Sequence, residues 1–408
     1  MRRVGTFFLF LASSVFACTL PVCAHAQRAD KGSKTFKAPP TIYDFLADDK
    51  FFMARKPAFK VTATLIEHWV GPDVPECMVR VFACAPPELP GQKVSTRLSI
   101  VDGDPKWKAE EMTERSFGKR PMLVLDIPSQ ELSLEKGVSF QKVYVGTTYA
   151  RTLLACQQDV VACRNRVGEK NLEDSLKRAV PRAALVRSRK HDQSYVPQLT
   201  DEERKRYLAS SPFMDYDNPE FIKWMDKPEL KRKEPKGAMK REGAMKFAHR
   251  VFAYFVNNGK YIGGPPNHRP SYTCIQEPGG LASDCGGLSL LFVAVMRANG
   301  VPARILFGRW AISQTDGDPQ FHVTAEFFVE KCGWVPVDIS GTIVHKPKSP
   351  DAYFGWTDGT LIAFHEDTDL EPDKDFRFAF AQYLLIKWPP GKFSLVPSKS
   401  SWKVQRSP

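Results

Sequence analysis

Gly279-Gly280-Leu281-Ala282-Ser283-Asp284-Cys285-Gly286-Gly287 runs directly into Leu288-Ser289-Leu290-Leu291-Phe292-Val293-Ala294-Val295-Met296-Arg297-Ala298-Asn299-Gly300, and this junction decides how the chain is read. The second segment is apolar nearly all round, the pattern of a helix buried on every side. Cys285 is therefore predicted at the N-terminus of a buried helix, with its thiol where chemistry can use it.

A helix start does not activate a thiol by itself. Its dipole contributes at most about 2 kcal/mol, which lowers a thiol pKa by roughly 1.5, whereas activated catalytic thiols reach about 3.5. A histidine beside the sulfur and a carboxylate to orient the ring are needed as well. Two downstream segments supply them in the order Cys, His, Asp: Phe321-His322-Val323-Thr324-Ala325-Glu326 and Gly333-Trp334-Val335-Pro336-Val337-Asp338. Both read as strands joined through Lys331-Cys332-Gly333. The even spacing of His322 and Asp338 places them facing each other on one side of an antiparallel hairpin centred near Glu330. Singly, each residue has an ordinary structural reading: a small core cysteine, a satisfied histidine, an Asp that caps or turns. Their order, the helix-start position of the thiol and the facing strands favour a triad of Cys285, His322 and Asp338, with backbone amides at the helix start to receive an oxyanion.

Residues 1–26 read as an export signal: Arg2 and Arg3, an apolar stretch over 7–17 too short to span a membrane, and Ala24-His25-Ala26 before a cleavage at Gln27. A lipoprotein signal ending at Cys18 is the alternative. Losing Arg2 and Arg3 lowers the net charge from +12 to +10. The basic residues are scattered, and the dense block over 227–246 lacks interleaved aromatics, so no nucleic-acid partner is expected. No later apolar run has membrane length, so a periplasmic or secreted protein with no stable membrane span is expected. The sequence leaves the oligomeric state open.

Seven cysteines follow the signal: Cys77, Cys84, Cys156, Cys163, Cys274, Cys285 and Cys332. In an oxidising compartment six can pair, leaving one free. Cys77 and Cys84 end a strand-like run and sit roughly 23 Å apart at about 3.3 Å per residue, beyond the roughly 4.4–6.8 Å of a disulfide. Cys77 and Cys84 are therefore expected to pair elsewhere. The connectivity of the disulfide bonds is left open: Cys156 with Cys163 could close a local loop, Cys274 with Cys332 would brace the candidate site, and Cys285 is the expected free thiol.

About 380 residues exceed what one core usually serves. Alternating segments over 61–70, 78–83, 94–101, 122–127 and 138–149 predict a β-rich, sandwich-like N-terminal domain over 27–163. A basic connector with a helix over 171–178 occupies 164–200. From the N-cap signal Thr200-Asp201-Glu202-Glu203 a catalytic domain is expected over 201–390. Its helices, including one over 244–257, precede strands over 303–310, 322–330 and 334–339, an α+β order, and a C-terminal tail follows over 391–408.

The chain resembles the transglutaminase-like superfamily of papain-fold thiol proteins, in its exported bacterial form. The resemblance covers about 240–370 and rests on Asp284-Cys285-Gly286-Gly287, on Arg297-Ala298-Asn299-Gly300-Val301-Pro302-Ala303-Arg304 ending in Gly308, on His322 with Glu326, and on Gly333-Trp334-Val335-Pro336-Val337-Asp338. It implies a helix packed on an antiparallel sheet, with Cys285 as nucleophile, His322 as general base and Asp338 as orienting carboxylate. Thr324 stands where many relatives carry an aromatic. Gln276 and Tyr272 are the candidate oxyanion side chains.

No cofactor is expected. The acidic run over 366–375 lacks a regular calcium loop and reads as a solvated turn, and no phosphate loop or dinucleotide fingerprint is present. The leading expectation is a cysteine-dependent acyl-transfer enzyme acting on amide bonds of envelope peptides or proteins, with water as acceptor. A cross-linking transamidase and a catalytically silent envelope binding module are the alternatives.

Overall fold

The computed structural model describes residues 41–71, 76–101, 106–132, 135–155, 158–160, 162, 198–234, 241–262, 281–312, 321–388, 392–394 and 397–407. The expected signal, the connector with its helix over 171–178, Tyr272, Gln276, Cys156, Cys163 and Cys274 lie outside the described residues.

The alternating N-terminal segments form β1 (Phe51–Trp69), β2 (Met78–Cys84), β3 (Gln92–Ile100), β4 (Glu110–Thr113), β5 (Pro121–Pro128) and β6 (Val138–Ala155). β1 and β6 pair antiparallel along their whole length, with a bulge between Pro57 and Phe59 where the proline's missing N–H does no harm. This ribbon is longer than the hydropathy pattern predicts because both its ends are buried. At one end Trp69, Val138 and Phe140 face the sandwich; at the other Phe51, Leu153 and Ala155 join the core cluster that holds the helices.

Two β-sheets face each other across Val79, Val81, Leu98, Leu125, Ile127, Phe140 and Ile386. Ile386 belongs to β16 (Leu385–Trp388), which joins β2, and β18 (Lys399–Ser407) pairs with β1 from Lys60 to His68. Residues 391–408, expected as a tail, thus supply a paired strand, and the sandwich takes strands from both ends of the chain. All the described residues belong to one compact unit, so the expected boundary between sandwich and core is not a break in packing.

The core sheet runs β11-β10-β9-β13, all antiparallel: β9 (Ala303–Trp310), β10 (Phe321–Val329), β11 (Gly333–Val337) and β13 (Leu361–Glu366). Helix Cys285–Ala298 lies on β10 and β9, and helix Ala244–Asn258 packs behind it. The Cys285 helix buries all of 288–296, as its apolar circumference requires. It stops at Gly300, whose φ of +70° suits a residue without Cβ. At Thr200 the capping box is formed, with Thr200 Oγ1 accepting from Glu203 N at 3.2 Å and Glu203 Oε2 accepting from Thr200 N at 2.8 Å.

The cysteine arithmetic needs correction. Cys77, Cys84, Cys285 and Cys332 are all free thiols, so no Cys274–Cys332 brace forms and Cys285 is not the one unpaired thiol. Cys84 and Cys332 are buried among apolar side chains, which hold each as a small core residue. Among the described residues no helix is long and apolar enough to cross a membrane.

Candidate active site

The Cys285 helix begins at an N-cap, Asp284, whose Oδ1 accepts from Gly287 N at 2.8 Å. Leu288 N is taken by the Asp284 carbonyl. Helix geometry leaves the earliest amides of the turn without internal acceptors. Cys285 itself is half-buried at this start. Ser289, one turn further, donates to the Val323 carbonyl at 3.1 Å and ties the helix to β10 beside His322.

His322 and Asp338 meet, though not by the expected register. Ala325 pairs with Val337, so the position opposite Asp338 is Thr324, not His322. The hairpin is centred on Lys331, which takes φ +63° in a turn over 330–332, one residue beyond the predicted centre. That shift moves the register by two and so keeps both side chains on one face. Asp338 then leaves the sheet as N-cap of helix Ile339–His345. Its Oδ1 accepts from Gly341 N at 2.7 Å and Ser340 Oγ at 3.0 Å, and its Oδ2 reaches His322 Nε2 at 2.8 Å. A Cβ at position 341 would stand 2.7 Å from that carboxylate, so glycine is required there.

With Nε2 held by Asp338, Nδ1 is the ring nitrogen left over, and Cys285 lies close enough to the ring to help raise its pKa. Burial alone would discourage charge on the ring. The charge of Asp338, its hydrogen bond and the Cys285 contacts overcome burial and carry the His322 pKa up to about 10. Asp338 is also buried, yet the facing imidazolium and the donors from Gly341 and Ser340 hold its carboxyl below the ordinary carboxylate range. The other buried histidines differ. Burial pushes His365 down to about 3, and its Nε2 accepts from Ala381 N. His249 also faces a carboxylate, with Nε2 2.9 Å from Asp351, but its other nitrogen faces Thr41 Oγ1.

Two residues near the site were not anticipated. Trp310 stacks on His322 with ring centroids 4.5 Å apart. It lies two residues beyond Gly308, the register partner of His322, so an aromatic at the end of β9 was the available signal. Tyr261, on the two-residue strand β7 (Lys260–Tyr261), pairs in parallel with β8 (Ala282–Ser283), which leads into Cys285. Partial burial, then the charges of Cys285, Asp284 and Asp338, raise its pKa. No hydropathy pattern marks so short a pairing.

Behind the site lies a buried ionic cluster. Glu326 on β10 bonds Arg304 on β9, with Oε2 2.7 Å from Nη2, and also Arg151 on β6. Arg304 reaches Glu366 at 3.0 Å. The acidic run over 366–375 is therefore not a solvated turn in its first half. Glu366, Asp367 and Asp369 are buried or half-buried, the first two paired with Arg304 and Arg297. Among the described residues no group of His, Cys, Asp or Glu has the arrangement of a metal site.

Residues 233–339 match the family model of the transglutaminase-like superfamily, a span that includes Cys285, His322 and Asp338. The chain thus carries a transglutaminase-like domain over residues 233–339. No curated protein matches the sequence. Among solved structures the transglutaminase-like chain is similar to a provisionally named cysteine protease from Cytophaga hutchinsonii: 15% identity, TM-score 0.47, covering 87% of this chain and 92% of that one. It is also similar to the periplasmic domain of TgpA from Pseudomonas aeruginosa: 10% identity, TM-score 0.29, covering 71% of this chain and 92% of that one.

Proposed function

We propose that this transglutaminase-like protein is an exported thiol enzyme that transfers acyl groups from amide bonds of peptides or proteins, with water as the usual acceptor. One observation carries the reading: His322 is held by Asp338 through Nε2 at 2.8 Å, and Cys285, at a helix start, lies close enough to the ring to help raise its pKa. The roles of nucleophile, base and orienting carboxylate follow from that arrangement.

In the proposed reaction the Cys285 sulfur attacks the amide carbonyl carbon and a C–S bond forms. The carbonyl oxygen becomes an oxyanion, received by the amides at the start of the Cys285 helix. The intermediate collapses, the C–N bond breaks, and the amine leaves with the proton held by His322. That step suits a ring whose pKa is raised to about 10 and which is therefore protonated at neutral pH. The thioester is then attacked by water, whose proton His322 accepts, and the acid leaves as Cys285 is restored. An amine in place of water gives transamidation by the same steps, and the ratio of free acid to amide product on adding an amine separates the two.

The test is alkylation with iodoacetamide at neutral pH in a Cys77→Ser background, because among the described residues Cys77 is the other free thiol that is not buried. Cys285 is expected to react faster than a model thiol, and Cys285→Ala to abolish the fast phase. Reaction no faster than the model thiol, or spread evenly over several cysteines, overturns the enzyme reading.

A further inference from the structure

The C-terminal end of the Cys285 helix lines a cavity of about 710 Å³, within the usual size of a small-molecule site. Its walls come from three places: the loop between β4 and β5, the chain leaving helix Asp201–Arg206, and the chain after β13. The helix spans 14 residues, so the cavity lies about 20 Å from the thiol.

Six cationic side chains line this cavity. Four of them already hold a carboxylate: Arg120 with Glu114 at 3.1 Å, Arg206 with Glu366 at 2.9 Å, Arg297 with Asp367 at 2.8 Å, and Arg377 with Glu371. The remaining lining carboxylate, Asp369, accepts from Ser211 Oγ, Thr368 Oγ1 and Phe213 N. Every acid of the wall is thus engaged by the protein's own donors. Arg115 and Lys205 are the other two cations. Both are exposed, and among the described residues neither has a carboxylate partner. The backbone of Arg115 is fixed, its N–H bonded to the Glu371 carbonyl, while its guanidinium is left over.

Beside these two cations the wall is apolar. Phe117, two residues after Arg115, is 56% exposed, and Leu208, Ala209 and Pro212 complete that side. A guanidinium and an ammonium recognise phosphate or carboxylate, and an exposed ring offers a face to a flat body. We infer that this cavity binds a small organic anion, its phosphate or carboxylate head held by Arg115 and Lys205 and its flat apolar body laid against Phe117.

The test titrates the full chain with phenyl phosphate and with phthalate by calorimetry, using inorganic phosphate as the headgroup alone. One site per chain is expected, and whichever aromatic probe binds more tightly names the head group. Arg115→Ala and Lys205→Ala are each expected to weaken that binding about tenfold, the scale of one charge-assisted contact. Phe117→Ala is expected to remove the advantage of the aromatic probe over inorganic phosphate. All three side chains are exposed, so an unchanged urea midpoint verifies the fold, and unchanged Cys285 alkylation keeps this result separate from the proposed activity. The inference is overturned if neither aromatic probe saturates below about 10 mM, or if binding survives the Arg115→Ala/Lys205→Ala pair and so belongs to the general basic surface.

Discussion

His322 takes its character from neighbours that differ in how far the sequence announces them. Asp338 was legible because parity of spacing survives a register error: the hairpin centre moved by one residue, the pairing by two, and the facing sides were kept. Trp310 was not, because no periodicity says which aromatic will lie flat on a ring from the next strand. The raised His322 pKa makes a prediction about stability. A group whose folded pKa exceeds its unfolded value stabilises fully below the unfolded value and loses that contribution as the pH rises through the folded one. For His322 the window runs from 6.5 to about 10. Asp338 acts on the acid side, where its contribution fades only as the pH falls below the usual carboxylate range, so it leaves this window undisturbed. Urea unfolding should therefore show wild type exceeding His322→Gln by a few kcal/mol at pH 6, with the gap closing toward pH 10. A gap that is constant with pH would mean the ring is not charged in the folded protein.

At the level of elements, Glu326 shows what a strand pairing is built to hold. It sits opposite Arg304 in the β9–β10 ladder and also bonds Arg151 from the long ribbon, with all three side chains almost fully buried. Burial opposes the charge of Glu326, and the two arginines hold its carboxyl below the usual range despite it. Removing Glu326 leaves Arg151 buried without its carboxylate and Arg304 with Glu366 alone, and breaking such a buried pair costs about 3–5 kcal/mol. Glu326→Ala should lower stability in urea by that amount at neutral pH. A loss under about 1 kcal/mol, the value of an exposed pair, would show that water reaches the cluster. The sequence offered Glu326 as part of a resemblance without its partner, since Arg151 lies 175 positions away and beyond residue 149, where the predicted strand ends. Calling the acidic run after Glu366 solvated was the same error. Composition reports charge, but the arginines that bury it come from remote strands.

For the molecule as a whole, the C-terminal strand matters most for how the site is held. In Lys399–Ser407 only Trp402 is buried, so no alternation of apolar residues distinguishes the strand from a tail. Pairing with β1 places Trp402 against Tyr144 and Phe364, at ring separations of 5.8 and 6.0 Å, and its Nε1 donates to the Trp310 carbonyl at 2.9 Å. Trp310 in turn stacks on His322. The last strand of the chain is therefore linked to the ring beside Cys285 through one indole and one hydrogen bond. Trp402→Phe keeps most of the packing and removes the bond, so stability should fall by about 0.5–1.5 kcal/mol. If the indole also positions Trp310, Cys285 should alkylate more slowly in that variant while the circular dichroism stays native. Trp402→Ala empties a core position and should cost about 3–5 kcal/mol. Two comparisons then separate bracing from bulk stability. A Trp402→Phe variant that loses stability but alkylates at the wild-type rate would show that β18 only closes the sandwich. Slowed alkylation in Trp402→Phe, with a normal rate in Glu326→Ala, would show that the strand reaches the site through Trp310 rather than through the stability of the fold.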